Sequence, residues 1–292
     1  MSIGKFFYSF ENFLTKTVEF ARFQFSRLRE VRNYGDYKFP YREEVTGKRF
    51  YVLANGPSLN NEIETLMNDD TFISSPKVVV NFFINSAFFL KLRPEYYCIA
   101  DPAFYSTDNY TSLFDKLNAE VSWPLTLLVP NWGAVKVKEH IDNSNIAIVP
   151  VSPLIYKGYE GLKYKYYKLG KGMPSYVNVT IMIEYVLLNM GCKDIWLYGV
   201  DHSFLADLCV NDNNQLCTYD SHFYGEKQLR VIGKKSDGST RSMKDFVYNK
   251  YLTFLEHENM RGYAEYLDAR IVNCTKNSWI DAYVRLAQLE EK

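Results

Sequence analysis

The chain has 292 residues, long enough to bury a full core as one catalytic domain with an appendage or as two small domains. Its 34 Lys+Arg balance 34 Asp+Glu, which argues against a polynucleotide partner, since such binding needs a strongly basic field. Five cysteines without a Cys-x-x-Cys spacing argue against a zinc or redox pair and suit a reducing cytoplasm, and no run of eighteen apolar residues would span a membrane. Aromatic residues make up 16% of the chain, a level that suits sugar or base sites and equally a tyrosine-rich core and surface.

In chain order, Phe6, Phe10, Phe13, Leu14, Val18, Ala21, Phe25 and Leu28 recur at steps of three and four, which predicts an amphipathic helix over residues 3–30. Lys5, Lys16, Arg22, Arg27, Arg29 and Arg32 make it basic. Such a helix can lie in a membrane interface, pair with a partner helix or pack on its own domain. Residues 1–46 are read as this appendage and its linker, and 47–292 as an α/β catalytic domain.

Arg49 to Ala54 reads as a first buried strand, with further strands at Lys77 to Asn81, Tyr96 to Ala100, Leu125 to Val129, Ala147 to Pro150, Ile195 to Val200 and Arg270 to Asn273. Helical patterns separate several of them, notably Tyr176 to Met190, which Gly191 can close. The alternation predicts an α/β, Rossmann-like, mostly parallel sheet with helices on both faces, binding its ligand at the carboxyl ends of the strands. Lys157 to Lys171, dense in Tyr, Lys and Gly, reads as a loop or lid.

The turn Asn55-Gly56-Pro57-Ser58 follows the first strand: Gly56 allows close backbone approach, Pro57 sets a turn, and Ser58 can cap the next helix so that its amides face a phosphate. An ordinary strand-to-helix turn uses the same residues. Asn81 and Asp101 stand at strand ends, where they can bind base, ribose or sugar hydroxyls or cap a turn. Gly172 to Ser175 predicts a second glycine-turn-serine helix start, and Asp201-His202 ends the strand at Val200. An imidazole near a strand end can serve as general base for a hydroxyl or as a structural group; of the two here, the structural reading is favoured for His202 and the general-base reading for His222, in Ser221-His222-Phe223-Tyr224-Gly225-Glu226. No Asp-x-Asp pair or spaced His/Cys/carboxylate set marks a metal site.

The ordered combination of Asn55-Gly56-Pro57-Ser58, Asn81, Asp101-Pro102, Ser175, Gly199-Val200-Asp201, Ser221 to Gly225 and Asn277-Ser278-Trp279-Ile280-Asp281 resembles bacterial glycosyltransferases of CMP-linked nonulosonic acids. It looks like the lipooligosaccharide sialyltransferases and the core of the motility-associated flagellin glycosyltransferases. The resemblance implies metal-independent transfer from a CMP donor to a surface-glycan hydroxyl, with Asn55, Gly56 and Ser58 on the nucleotide and its phosphate, Asn81 and Ser175 on CMP, and no cofactor. An asparagine expected after the third strand is Asp101 here, and the sialyltransferase histidine falls at Glu226, so His222 or Glu226 is left as the base. The implied place is the cytoplasmic face of the plasma membrane, on a lipid-linked acceptor met through residues 3–30, with homo-oligomerisation open. A pyrophosphokinase-like transferase using ATP and magnesium, sharing the Asn-Gly-Pro-Ser type of turn, and a non-catalytic subunit of a glycan assembly complex are the rival readings.

Overall fold

A computed structural model describes residues 3–36, 39, 45–106, 108–220, 228–233 and 240–290. The chain enters on a long helix α1 (Ile3–Tyr34). Then come β1 (Arg49–Leu53), the short helices α2 (Ile63–Leu66) and α3 (Asp70–Ser74), β2 (Lys77–Val80), α4 (Phe89–Leu92) and β3 (Tyr96–Cys98). The pattern continues with α5 (Ala103–Ser106), α6 (Asp108–Glu120), β4 (Leu125–Pro130), α7 (Ala134–His140), β5 (Ile146–Val151), α8 (Glu160–Lys168), α9 (Val179–Asn189) and β6 (Asp194–Tyr198). A small excursion, β7 (Leu208–Val210), β8 (Leu216–Asp220) and β9 (Gln228–Val231), precedes the long α10 (Met243–Tyr266), and β10 (Arg270–Asn273), β11 (Val284–Arg285) and α11 (Leu286–Glu290) end the fold.

The described residues form an eight-stranded sheet in the order β11-β10-β6-β1-β2-β3-β4-β5, every pairing parallel. Alternate residues of a strand face opposite sides, so a sheet covered on both faces needs near-continuous apolar strands. Phe50 and Val52 accordingly enter one core with α9, while Tyr51 and Leu53 enter the other with Phe114 and Leu117 of α6. The expected α/β architecture is the one observed. From β1 the chain adds strands outward to β5, then returns to place β6 on the other side of β1. The strand order therefore reverses between β1 and β6, the position where open α/β sheets leave a crevice at their carboxyl ends.

Two local expectations need correction. The lid expected over Lys157 to Lys171 is mostly α8, because Tyr167 is buried and packs on Tyr185 and Tyr263 at centroid distances of 5.8 and 5.3 Å. The helix expected from Tyr176 begins instead at Val179, where the Asn178 carboxamide oxygen accepts from the Thr180 amide at 2.8 Å as the N-cap. It ends as expected, with Gly191 at φ 101°.

Helix α1 lies on α8 and the loop before it. Phe20 and Phe23 pack edge-on against Tyr166 at 5.7 and 5.5 Å, Gln24 donates to the Tyr166 hydroxyl at 2.7 Å, and Glu30 accepts from Ser152 at 3.0 Å. A second apolar face, with Phe10, Leu14, Val18, Phe25 and Leu28, stays exposed. No helix among the described residues is long and apolar enough to cross a membrane.

Candidate functional site

The crevice between β1 and β6 holds a cavity of about 470 Å³, within the usual ~300–1,000 Å³ of small-ligand sites. One wall is made by residues just past the sheet strands: Asn55 to Pro57 after β1, Asn81 after β2, and Gly199 to Phe204 after β6. A second wall comes from Thr218, Tyr219 and Arg230 of the small antiparallel sheet, and a third from Phe246 and Lys250 of α10.

Backbone contact joins the β1 and β6 turns. The Ala54 amide donates to the Tyr198 carbonyl at 2.9 Å and the Gly56 amide to the Gly199 carbonyl at 2.8 Å. A side chain on Gly56 would collide with Oδ2 of Asp201 and the Gly199 carbonyl, its Cβ falling 2.7 Å from Asp201 Cγ. Gly199 adopts φ +67°, and a Cβ there would sit 2.6 Å from the Ala54 carbonyl oxygen. Both glycines are thus required by the close approach of two turns.

Ser58 does not cap a helix. Its hydroxyl donates to Asp201 Oδ2 at 2.8 Å and its amide to Oδ1 at 3.2 Å, and the turn that follows is a 3-10 turn over Pro57–Asn61. That amide is therefore engaged internally. Burial raises the Asp201 carboxyl while the two Ser58 bonds oppose the shift. The far side of this loop is held by the C-terminal segment: Ser278 donates to the Val200 carbonyl at 2.7 Å, Thr275 accepts from the Val200 amide at 3.0 Å, and the Trp279 amide donates to the Asp201 carbonyl at 2.9 Å. The Asn277 to Asp281 motif accordingly includes residues that brace the site.

Asn55 donates through Nδ2 to the Val80 carbonyl at 3.1 Å, leaving its Oδ1 buried without a partner among the described residues. Asn81 Oδ1 is likewise buried and unpartnered there, and its backbone sits at φ 47°. Tyr97 on β3 fixes that turn, its hydroxyl donating to the Asn81 carbonyl and accepting from the Ile84 amide at 2.9 Å. A buried acceptor without a donor is costly, and both residues line the cavity, where turning either carboxamide would let a ligand's N–H or O–H group satisfy it.

The structure thus brings Asn55, Gly56, Pro57, Asn81 and Asp201 to one cavity, with Ser58 behind Asp201. Asp101 is not among its walls; its Oδ1 accepts from the Ala103 amide at 2.9 Å in the turn-capping role that residue type also suits. Gly172 packs on Phe23 and Tyr156, and the Ser175 amide donates to Glu256, so neither reaches the cavity wall. His222 and Glu226 lie outside the described residues.

Two cavity residues depart from the sequence reading. Lys250 holds Nζ 3.7 Å from the Phe204 ring centre, with no carboxylate partner among the described residues; burial, helped by Arg241, brings its pKa down to about 8. Its signal is weak in sequence because Lys250 lies 52 residues past the end of β6 on a helix with little apolar periodicity. The second is His202, read above as structural, which lines the cavity at φ 52°. Non-glycine residues hold such backbone conformations mainly at functional sites and tight turns.

Behind His202 lies a buried polar line. His202 Nε2 meets His257 Nε2 at 3.0 Å, His257 Nδ1 meets the Tyr283 hydroxyl at 2.9 Å, and that hydroxyl meets Glu184 Oε2 at 2.7 Å. Burial pushes Glu184 from 4.5 up to about 8 and His257 from 6.5 down to about 3, and holds His202 well below its ordinary value. The folded state keeps a proton on Glu184 that the unfolded chain releases, so stability falls as pH rises between those two values. The folded state refuses protons that the unfolded histidines bind, so stability also falls as pH drops below 6.5. This cluster is therefore expected to give a stability maximum near pH 6.5 and a loss of stability on the alkaline side up to the Glu184 value. Denaturant unfolding at several pH values reads this directly, and Glu184→Gln is expected to remove the alkaline fall.

No protein-family model matches the chain, and no curated protein matches it by sequence. Among solved structures, a MAf glycosyltransferase from Magnetospirillum magneticum AMB-1 superposes with a TM-score of 0.51 at 13% sequence identity. The match covers 89% of this chain and 37% of that one. This chain is similar to that enzyme in fold and spans little more than a third of its length.

Proposed function

We propose that this chain is a glycosyltransferase that takes a nonulosonic acid from a CMP donor and passes it to a hydroxyl of a surface glycan. The observation that carries the reading is the cavity at the strand-order reversal between β1 and β6, with cationic Lys250 and Arg230 among its lining residues. Fold likeness to a glycosyltransferase supports the class. Asn55 and Asn81 line the cavity, where a turn of either carboxamide would present an acceptor to the cytosine amino group or ribose hydroxyls, and Lys250 offers a charge for the phosphate.

In a single displacement the bond from the anomeric carbon to the CMP phosphate oxygen breaks, and the acceptor oxygen forms the new bond to that carbon as its proton leaves. Cations aimed at the departing phosphate stabilise charge that grows in the transition state. The proposed transfer needs no metal. The proton acceptors expected from sequence, His222 and Glu226, lie outside the described residues. Incubation with a CMP-nonulosonate and oligosaccharide acceptors tests the reading: a product heavier by one sugar supports it, and an intact donor with no product across the acceptor panel counts against it.

The exposed face of α1 supports, as part of this proposal, a place at the inner surface of a membrane that carries the acceptor. Phe25 is 74% and Leu28 60% exposed, and Arg22, Arg29 and Arg32 are exposed on the same helix, a composition suited to an anionic lipid surface. Phe25→Asp with Leu28→Asp is expected to abolish recovery with anionic vesicles while leaving stability within ~0.5 kcal/mol, because the Phe20 and Phe23 face is untouched. Undiminished vesicle recovery would remove α1 from that role.

A further inference from the structure

Glu184, Tyr283, His257 and His202 form a continuous hydrogen-bonded line from the core to the cavity wall, and the chemistry of its links restricts what it can do. Glu184 on α9 is fully buried, with Oε1 3.7 Å from His257 Nδ1 and without a hydrogen bond among the described residues. Each of the three links holds one hydrogen, so the line has two consistent arrangements. With Glu184 ionised, Tyr283 donates to Glu184, His257 donates through Nδ1 to Tyr283, and His202 donates through Nε2 to His257. His202 Nδ1 then carries a lone pair.

With Glu184 protonated every link reverses. Glu184 donates to Tyr283, Tyr283 to His257 Nδ1, and His257 Nε2 to His202 Nε2, which leaves the hydrogen of His202 on Nδ1. Asn178 fits this second arrangement, because its Oδ1 is occupied by Thr180 and its Nδ2 lies 3.3 Å from His202 Nε2. The two arrangements differ by one proton. His202 Nδ1 has no hydrogen-bond partner among the described residues, is not among their buried unpartnered polar atoms, and belongs to a residue that lines the cavity.

We propose that this line is a proton relay: His202 Nδ1 takes the proton of a hydroxyl bound in the cavity, each link passes one hydrogen inward, and the proton comes to rest on Glu184. The hydroxyl O–H bond breaks, an Nδ1–H bond and a Glu184 O–H bond form, and the oxygen keeps the electron pair with which it attacks. The proton returns to solvent by the reverse path after product leaves. His202 is then the base, and Glu184, Tyr283 and His257 are positioning and storage residues. Only the naming of that hydroxyl as a glycan acceptor rests on the transferase reading.

Burial supports this division of labour, because a charge on either imidazole is disfavoured, whereas both end states of the relay keep both rings neutral. Glu184 faces Tyr283 and His257; Lys250 of α10 acts on His202; Arg261 and Glu256, also of α10, act on Tyr283. The Glu184 position near pH 8 places the exchange within reach of ordinary conditions.

Nitrogen-15 imidazole spectra of the full chain test the relay without substrate. As pH rises through about 8, His202 is expected to change from the Nδ1–H to the Nε2–H form and His257 from Nε2–H to Nδ1–H, neither becoming imidazolium. Glu184→Gln should hold each ring in one form, and Tyr283→Phe should uncouple both rings from Glu184. Fixed forms in the unsubstituted chain, or a switch that persists in Glu184→Gln, overturn the proposal. Where transfer is measured, both substitutions should lower kcat about 100-fold and flatten its rise with pH while nucleotide stabilisation is kept. Switching rings without transfer to any acceptor would refute the transferase reading and leave the relay standing; transfer without switching would do the reverse.

Discussion

Gly56→Ala is expected to lower unfolding stability by about 3 kcal/mol and to abolish stabilisation by nucleotide. The new methyl group meets Asp201 and the Gly199 carbonyl, and neither can retreat freely. Asp201 is held by the Ser58 hydroxyl and amide, and the Gly199 carbonyl by the Gly56 amide itself. Relieving the collision breaks these three hydrogen bonds, each worth about 1 kcal/mol, and parts the β1 and β6 turns that frame the cavity. Gly161→Ala is the matched control, since nothing lies within 4 Å of its added carbon and α8 gains a better helix former. Urea unfolding with and without nucleotide should separate the two substitutions; equal behaviour would mean that the turns can part without consequence.

Lys250→Met is expected to act in the opposite sense on the two properties. It removes a cation that burial disfavours, so stability should hold or rise, while nucleotide binding weakens about 100-fold through loss of a charge-assisted phosphate contact. The pH dependence follows from the same burial. The Lys250 ammonium gives up its proton as pH rises through about 8, so nucleotide affinity should fall there in the unsubstituted chain and be flat in Lys250→Met. Calorimetric titration from pH 7 to 9 checks both parts. The relay raises kcat over the same range, so affinity and turnover should move in opposite directions with pH.

The main strands were readable because each is a short apolar run ending in a polar or glycine turn; Arg270 to Asn273 coincides with β10, and Lys77 to Asn81 overshoots β2 by one residue. The small sheet β7 to β9 is not legible in the sequence because its strands are short and mix Thr, Arg and Gln with apolar residues. Helix α10 also lacked a visible stripe, since its buried positions include Thr253 and His257, which carry no apolar signal. Residues at strand ends, such as Asn55, Gly56, Asn81 and Asp201, could be placed at the crevice because parallel sheets gather their ligands there. Ser175 could not be told from Asn178 as a helix cap, both being residues of the capping type. The line from Glu184 to His202 joins α9, α10 and the segments after β6 and β10, and only folding brings four such distant positions together.

Thermal unfolding with CMP, CDP, UDP, GDP and ATP, each with magnesium and with a chelator, tests the central claim most directly, because a ligand that binds only the folded chain raises its stability by mass action. The proposed function predicts selective stabilisation by CMP that survives the chelator and is lost in Lys250→Met. Stabilisation by ATP alone, and only with magnesium, would contradict it and put a pyrophosphokinase-like transferase in its place.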